Sequence, residues 1–262
     1  MPLLVVALLL GLIEGLTEFL PVSSTGHLIL AARFLPIGDA RAELFDVVIQ
    51  SGAMLAVLGL YRRRFAAVLR PETPGTFSGA RGLVLLALGV LPALLVGYAL
   101  RHRIHDLRTP AHVAIALAAG GAAILLVETL RGDRGTRGVD QLTPRIALGV
   151  GLFQCLALWP GVSRSAATIL GGMLLGLSRR GAAEFSFLLG APVLFVVSGY
   201  ELVAHHDQLT TDTIALVAAG FAAAAFAAAI AVKAFTAYLG RATLKPFAWY
   251  RLALAALVLA LL

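Results

Sequence analysis

The sequence predicts an all-α polytopic membrane protein built from two inverted-topology repeats, each a re-entrant helical hairpin followed by three transmembrane helices. Three observations support this fold class. The 262 residues are 60% hydrophobic and 13% charged, with a mean hydropathy of +0.91, outside the range of soluble globular domains. Apolar runs long enough to cross a bilayer recur along the chain. Two polar motifs, each next to a proline, interrupt the apolar sequence, one in each half.

The first motif extends from Glu14 to Leu28 and reads EGLTEFLPVSSTGHL. Glu14 and Glu18 are four residues apart, so both carboxylates project from one face of the helix that is predicted to continue to Phe19. Charged groups at membrane depth are costly, and intramembrane carboxylates therefore indicate a functional site. The pair is able to bind a divalent cation or to relay protons, and the residues alone do not choose between these roles.

Pro21 ends this helix, because proline lacks a backbone donor and disfavours helical geometry in the preceding residue. Side-chain oxygens after the proline are able to cap a new helix, whose exposed N–H groups form a seat for phosphate. Taken singly, a serine cap and a histidine at a helix start are most simply structural; beside two carboxylates they predict a phosphate site. The residues of this turn are Ser23, Ser24, Thr25, Gly26 and His27.

Three apolar runs follow each motif and predict membrane-spanning helices. They lie at about 44–60, 83–100, 111–130, 183–203, 213–238 and 247–262. The arginine-rich loop from Arg131 to Arg145 is the predicted boundary of the two halves, 1–135 and 136–262, within a single integral membrane domain. The single cysteine, Cys155, permits no intramolecular disulfide and is expected to be a packing residue.

The second motif repeats the layout of the first, with a break at Pro160-Gly161 and a polar turn after it. The limb after each break has about twelve residues and reaches about 18 Å, short of the 30 Å bilayer core, which favours a re-entrant hairpin. Three spans per half is an odd number, so the second half must be inverted relative to the first. Such repeats bring the tips of broken helices together near the bilayer midplane.

The net charge of +7 reflects membrane topology, because the basic residues lie in short loops and no basic, aromatic-rich domain for nucleic acid is present. If the loop 62–82 is cytoplasmic, one side collects 13 Lys and Arg and the other side 5. The positive-inside rule then predicts that both termini lie outside.

Arg164 is the central residue of the second motif. Its planar guanidinium can donate two parallel hydrogen bonds to phosphate oxygens. It also lies at a predicted helix N-terminus, where anions are favoured. A structural arginine paired with Glu14 or Glu18 is the alternative, and both interpretations can hold together. Ser163 or Ser165 is expected to cap the helix, while Thr168 either faces the same pocket or bonds a backbone carbonyl.

Together the two tips supply the groups needed for phosphoryl transfer in a low-dielectric pocket. Carboxylates can hold a divalent cation, the cation and an arginine neutralise charge on phosphate oxygens, and a hydroxyl or a histidine attacks phosphorus. A pocket between membrane helices indicates a phosphate carried by a lipid.

At these residues the chain resembles the undecaprenyl-pyrophosphate phosphatase family, also known as bacitracin-resistance proteins. The resemblance rests on EGLTEFLPVSSTGH, beginning at Glu14, and on PGVSRSAAT, beginning at Pro160, and the span layout matches over essentially the whole chain. It implies removal of the terminal phosphate from a C55 polyprenyl diphosphate, with a divalent cation (Mg²⁺ or Ca²⁺), at the outer face of the bacterial inner membrane. This reaction recycles the lipid carrier for peptidoglycan synthesis and confers bacitracin resistance.

Carried over by position, the resemblance implies that Glu14 and Glu18 are the acidic, metal-binding pair and that Ser24 is the nucleophile. His27 is then its general acid/base partner and Arg164 the phosphate clamp. A phosphohistidine on His27 is the open alternative. The expected substrate-binding residues are Ser23, Thr25, Gly26, Ser163, Ser165 and Thr168. The expected partners are the lipid substrate and the bilayer, with no nucleic acid, and a homodimer is an open alternative.

Two other classes of protein share features of this sequence. A secondary transporter or lipid flippase also fits inverted repeats with broken helices. A membrane phosphatase of the acid-phosphatase-like class requires a histidine six residues after the arginine of its Ser-Arg motif. Leu170 occupies that position here, which excludes this class.

Overall fold

The computed structural model describes residues 2–35, 39–107, 109–132, 134–204 and 211–261. Within these ranges the chain forms eleven α-helices: α1 (Leu3–Thr17), α2 (Ser24–Phe34), α3 (Asp39–Leu60), α4 (Arg62–Val68), α5 (Gly79–Asp106), α6 (Pro110–Leu130), α7 (Pro144–Gln154), α8 (Arg164–Leu174), α9 (Arg179–Ala204), α10 (Thr211–Leu239) and α11 (Lys245–Leu261). Two short 3₁₀ helices, Val139–Gln141 and Cys155–Leu158, flank α7.

The helices confirm the prediction of a polytopic membrane protein. In the described part of the chain, α5, α6, α9 and α10 are long and apolar enough to cross a bilayer. The remaining two predicted spans correspond to α3 and α11. All six helices agree with the predicted apolar runs to within a few residues, because hydrophobic runs and the polar segments between them define long helices locally.

Each motif lies at a break between two short helices. The first helix was expected to continue to Phe19, but α1 ends at Thr17, and residues 18–22 form turns before α2. Glu18, the C-cap, still has helical dihedral angles and donates its N–H to the Glu14 carbonyl. The α-helical hydrogen bonds end there because Pro21 has no N–H to donate to the Thr17 carbonyl four residues earlier. The two glutamates nevertheless keep their helical spacing.

The N-cap residues of α2 and α8, Ser23 and Ser163, share an unusual backbone conformation. Ser23 has φ 71° and ψ 100°, and Ser163 has φ 74° and ψ 117°. They are the only non-glycine residues with positive φ in the described ranges. Residues that carry a side chain rarely adopt this backbone conformation. Both serines cap their helix, accepting hydrogen bonds from Gly26 N and Ala166 N.

The helix before each break packs against a long helix that is distant in the sequence. α1 packs along α10, and α7 packs along α5. Glycines allow this close approach: a Cβ at Gly11 would clash with the carbonyl oxygen of Gly220, and one at Gly151 would lie 2.6 Å from the Leu88 carbonyl oxygen. The contacts α6–α11 and α3–α9 also join the halves.

Ion pairs connect the polar loops at one end of the helices. The Arg64 guanidinium donates to Asp140 at 2.7 Å and to Glu184 at 2.8 Å, and Asp140 also accepts from the Phe77 amide at 2.9 Å. Arg179, at the start of α9, forms two hydrogen bonds with the buried carboxylate of Glu128. These contacts fix α4 and the loop after it against the segment before α7 and against α9, and they join α9 to α6.

Candidate active site

The carboxylate of Glu18 joins the two motifs. One of its oxygens accepts a 2.8 Å hydrogen bond from the Ser24 hydroxyl. The other forms a 3.0 Å salt bridge with Nη2 of Arg164, which is 146 positions away in the sequence. The three side chains are nearly buried, and in such surroundings charge-assisted hydrogen bonds are short and strong. The predicted pairing of Arg164 with a glutamate is therefore observed, with Glu18 as the partner.

Three further contacts orient the Arg164 guanidinium. Nη1 donates to the Ser186 carbonyl of α9 at 2.9 Å, and the group lies 5.8 Å from the ring centroid of Phe19, within cation–π range. A Cβ at Gly190 would lie 2.5 Å from Nη1, so a larger residue at this position on α9 would displace the end of the Arg164 side chain. The Nε–H of Arg164 is buried without a hydrogen-bond partner in the described residues, so it is one guanidinium donor that the protein itself does not use.

The remaining hydroxyls of the second motif hold the two tips together. Ser165 donates a 2.8 Å hydrogen bond to the Leu20 carbonyl of the first motif and lies 3.0 Å from the hydroxyl of Ser163. Thr168 is fully buried; its hydroxyl lies 2.8 Å from the Arg164 carbonyl and 2.7 Å from the Ser186 hydroxyl. Of the two positions predicted for Thr168, the structure has the one facing the backbone.

His27 makes different contacts from those expected. Instead of a contact with Ser24, its Nδ1 lies 2.7 Å from the Ser23 carbonyl, and its Nε2 lies 2.6 Å from the hydroxyl of Tyr250 on α11. The two rings are stacked, with centroids 5.5 Å apart. The Ser23 carbonyl and the Tyr250 hydroxyl hold the imidazole toward α11. The Ser24 hydroxyl contacts Glu18 instead.

The other predicted residues of the first motif lie near the end of α1 and in the first turn of α2. Glu14 is fully buried one turn before Glu18. Gly26 is buried against Leu117, whose side chain would lie 3.1 Å from an added Cβ. Thr25 is half-buried in the first turn of α2.

Sequence reasoning missed Arg251, which lies on α11 and is fully buried. Its guanidinium donates to Pro21 O of the first motif at 3.3 Å and to Gly161 O of the second at 3.0 Å. It also donates to the carbonyls of Ala116 and Leu117 on α6. One side chain therefore ties both chain breaks to α6. The sequence signal for this residue is a single arginine inside the apolar run 247–262.

The site has two carboxylates to offer a cation. In the described residues no group of three His, Cys, Asp or Glu side chains could hold a metal ion. Magnesium is commonly bound through one or two carboxylates together with substrate phosphates. Both oxygens of Glu18 already accept hydrogen bonds from this chain. Each of these oxygens keeps a second lone pair, so a cation at Glu14 and Glu18 would take its further ligands from a bound phosphate.

An apolar cavity of about 610 Å³ lies beside the site, between α1, α10 and α11. His27 and Tyr250 form part of its wall together with Leu20, Phe235 and Phe247. The polar tips and this apolar groove thus meet at the stacked histidine and tyrosine. An amphiphile with a phosphate head and a hydrocarbon tail matches this arrangement.

The fold and the site define a polytopic helical membrane protein with a buried carboxylate–hydroxyl–guanidinium cluster suited to phosphate chemistry. Residues 7–257 match the family described as Bacitracin resistance protein BacA. The chain belongs to this family, which confirms the resemblance inferred from the two motifs.

Curated relatives match over almost their full length, and each is named Undecaprenyl-diphosphatase. The relative from Nitratidesulfovibrio vulgaris is 50% identical over 256 residues, covering 97% of both chains. That from Oleidesulfovibrio alaskensis is 51% identical over 260 residues, covering 98% of this chain and 97% of the relative. That from Nitrosomonas europaea is 45% identical over 258 residues, covering 98% and 94%.

Proposed function

We propose that this protein is a membrane phosphatase that hydrolyses undecaprenyl diphosphate, a C55 polyprenyl diphosphate, to the monophosphate and inorganic phosphate. The contact of Ser24, Glu18 and Arg164 in one buried cluster is the observation that carries the proposal. The names of the relatives and the family match support the same activity. Recycling of the lipid carrier for peptidoglycan synthesis, and bacitracin resistance, follow from this reaction.

In this mechanism Ser24 is the nucleophile. Its hydroxyl oxygen attacks the terminal phosphorus, the bond to the bridging oxygen breaks, and the lipid monophosphate leaves. Glu18, 2.8 Å from the hydroxyl, accepts the serine proton. Arg164 binds the non-bridging oxygens as negative charge develops on them. Water then hydrolyses the phosphoserine and releases inorganic phosphate.

His27 is assigned a role at the leaving group. Its ring borders both the hydroxyl motif and the apolar cavity, so it is positioned to protonate the lipid phosphate as that product departs into the groove. The polyprenyl chain would occupy the cavity between α1, α10 and α11. Ser23, Thr25, Gly26, Ser163, Ser165 and Thr168 are proposed to shape the phosphate seat, directly or through the backbone.

A divalent cation, Mg²⁺ or Ca²⁺, is proposed at Glu14 and Glu18, where it would neutralise charge on the diphosphate. Glu14→Gln should then weaken the response of the rate to added cation. An unchanged cation titration in this variant would favour the proton-relay role of the carboxylates.

We further propose that residues 1–135 and 136–262 are inverted repeats, each a re-entrant hairpin plus three spans. Gly11 precedes Ser23 by twelve positions, as Gly151 precedes Ser163, and both glycines contact the backbone of a long helix from the other half. The packing of α1 on α10 and of α7 on α5 has the same symmetry. The buried Gln154 corresponds to Glu14 in this alignment.

The proposed location is the bacterial inner membrane, with both termini outside and the active site open to the outer side. The excess of Lys and Arg in the loops on the opposite side supports this orientation. A homodimer remains a prediction.

The test is phosphate release by the detergent-purified protein from undecaprenyl diphosphate, with no gradient present. We expect multiple turnovers that Arg164→Lys reduces strongly, since an ammonium lacks the planar fork of the guanidinium. Lipid transport without phosphate release, measured after reconstitution, would instead identify a transporter or flippase.

A further inference from the structure

A second cavity lies away from the candidate active site, between the ends of α3 and α10 and the start of α9. Its volume is about 510 Å³. Three basic side chains line it, together with two hydroxyls: Arg180, Lys233, Arg241, Tyr61 and Thr236. Its wall is therefore strongly positive, in contrast with the apolar cavity beside His27.

The three cations have no acidic partner in the part of the chain that the structure describes. The ion pairs there involve Arg64, Arg164 and Arg179. Glu184, four residues after Arg180 on α9, is at the right spacing to pair with it, but its carboxylate accepts a 2.8 Å hydrogen bond from Arg64. All three residues are exposed, so their positive charge is open to an anion that approaches from solvent or from the membrane.

Helix dipoles explain only part of this cluster. Lys233 and Arg241 lie near the carboxyl-terminal end of α10, where cations are favoured. Arg180 lies in the first turn of α9, where the dipole favours an anion and a cation is unfavourable. An anion between these helices would compensate Arg180 and would also be attracted by the start of α9.

The position of Lys233 indicates a ligand from the membrane. It lies six residues before the end of α10, or about 9 Å along the helix axis, inside a segment apolar enough to span a bilayer. Ionisable residues at such positions are functional candidates by default. Phe226, seven residues earlier on the same helix face, is 67% exposed and offers an apolar surface for an acyl chain leading away from the lysine.

We propose that this cavity binds the phosphate headgroup of an anionic membrane phospholipid, with an acyl chain along the face of α10 that carries Phe226. Basic pockets between transmembrane helices recognise such headgroups. The shared chemistry is a phosphate group. A free phosphate ion is the alternative source of this group. It would bind without an acyl chain, whereas the lipid needs one.

The experiment measures lipid retained by the purified protein. Detergent micelles would contain either phosphatidylglycerol or neutral phosphatidylcholine, and native mass spectrometry would count bound lipid. Each basic residue near an anionic surface contributes about 1 kcal/mol, which is about a fivefold change in affinity. We therefore expect Lys233→Gln and Arg180→Gln each to reduce phosphatidylglycerol retention about fivefold, and Lys233→Arg to restore it.

Arg134→Gln is the matched control, because it removes an exposed arginine from another loop, outside the cavity; its retention should equal that of the wild type. A parallel arm compares melting temperature in sodium phosphate and in sodium chloride of equal ionic strength, with no added lipid. A phosphate-specific increase that Lys233→Gln abolishes, together with equal retention of phosphatidylglycerol and phosphatidylcholine by the wild type, would overturn the lipid assignment in favour of free phosphate. Unchanged phosphatidylglycerol retention in both cavity variants would overturn the site itself.

Discussion

The Ser24 hydroxyl donates a 2.8 Å hydrogen bond to Glu18, and the other oxygen of the same carboxylate is held by Arg164. A serine proton that already points at a carboxylate has an acceptor at the moment of attack. The arginine in turn keeps this carboxylate in place. One glutamate thereby couples the nucleophile of the first motif to the anion-binding residue of the second.

Glu18→Gln tests this coupling. The amide can still accept from Arg164, but it cannot take a proton, so phosphate release should fall by about 10²- to 10⁴-fold. Steady-state rates with undecaprenyl diphosphate measure the effect, and Glu72→Gln, in an exposed loop, is the control. Activity of Glu18→Gln near the wild-type level would exclude Glu18 as the proton acceptor.

Gly190→Ala should move the arginine without unfolding the protein. The added Cβ would lie 2.5 Å from Nη1 of Arg164, and the end of a flexible side chain can shift to relieve this. Loss of one such transition-state donor costs about 2.7–4 kcal/mol, so we expect the rate to fall about 100-fold or more with little change in melting temperature.

Gly199→Ala is the matched control on the same helix, because an added Cβ there meets no atom within 4 Å. Equal rates for the two variants would show that the position of the guanidinium does not limit catalysis.

Arg251 should position both chain breaks. Arg251→Met keeps much of the volume but removes the donors to Pro21, Gly161 and α6. Leaving a buried carbonyl unsatisfied costs about 1–3 kcal/mol, so melting temperature and rate should both decrease. Gly120→Ala should act similarly, since a Cβ there would overlap the guanidinium. Thermal unfolding and initial rates measure both variants; unchanged values for Arg251→Met would contradict this role.

The long helices and both motifs could be predicted from the sequence because their signals are local. Apolar runs mark α5, α6, α9 and α10, and a proline followed by serines marks each break. The contacts of the site are not local. Arg251 reaches acceptors in three segments distant in sequence, and His27 reaches Tyr250, 223 positions away. No periodicity encodes such pairs, so the sequence predicts neither the contact of Ser24 with Glu18 nor that of His27 with Tyr250.

The alternative pairing of Arg164 with a glutamate illustrates the same limit. The sequence offered both Glu14 and Glu18, which lie on one helix face one turn apart. Packing of α8 against α9 selects between them, because the Ser186 carbonyl fixes Nη1 and directs Nη2 to Glu18. That selection depends on tertiary packing, which a single motif does not specify.

Asp140 should make stability depend on pH. Partial burial raises the pKa of this carboxyl, but hydrogen bonds from Arg64 and the Phe77 amide and the charges of Arg64 and Arg81 outweigh it, so the pKa lies below its ordinary value. A depressed folded-state pKa gives stability that is present above the unfolded-state pKa and is lost as the pH falls through the folded-state value.

The melting temperature of Asp140→Asn should therefore be lower than that of the wild type at neutral pH, and the difference should vanish in acid below the folded-state pKa. Asp106→Asn, at the exposed end of α5, is the control. A difference between Asp140→Asn and wild type that is constant with pH would contradict the linkage.

The last prediction concerns the nucleophile. If Ser24 attacks phosphorus, acid quenching during turnover should trap acid-stable, base-labile phosphate on Ser24, detected by mass spectrometry of its peptide. Ser24→Ala should then lose both the adduct and turnover. Because Glu18 and not His27 contacts the hydroxyl, His27→Gln should still form the adduct, at a reduced rate if the imidazole protonates the leaving group.

The competing scheme, direct attack by His27, leaves a different species. It predicts acid-labile phosphate on the imidazole and substantial turnover by Ser24→Ala, and either result would reject the serine mechanism. The geometry argues against it. Both ring nitrogens of His27 already have hydrogen-bond partners, Ser23 O and the Tyr250 hydroxyl, so an attacking nitrogen would first have to give up one of them. The Ser24 oxygen keeps lone pairs available while it donates its proton to Glu18.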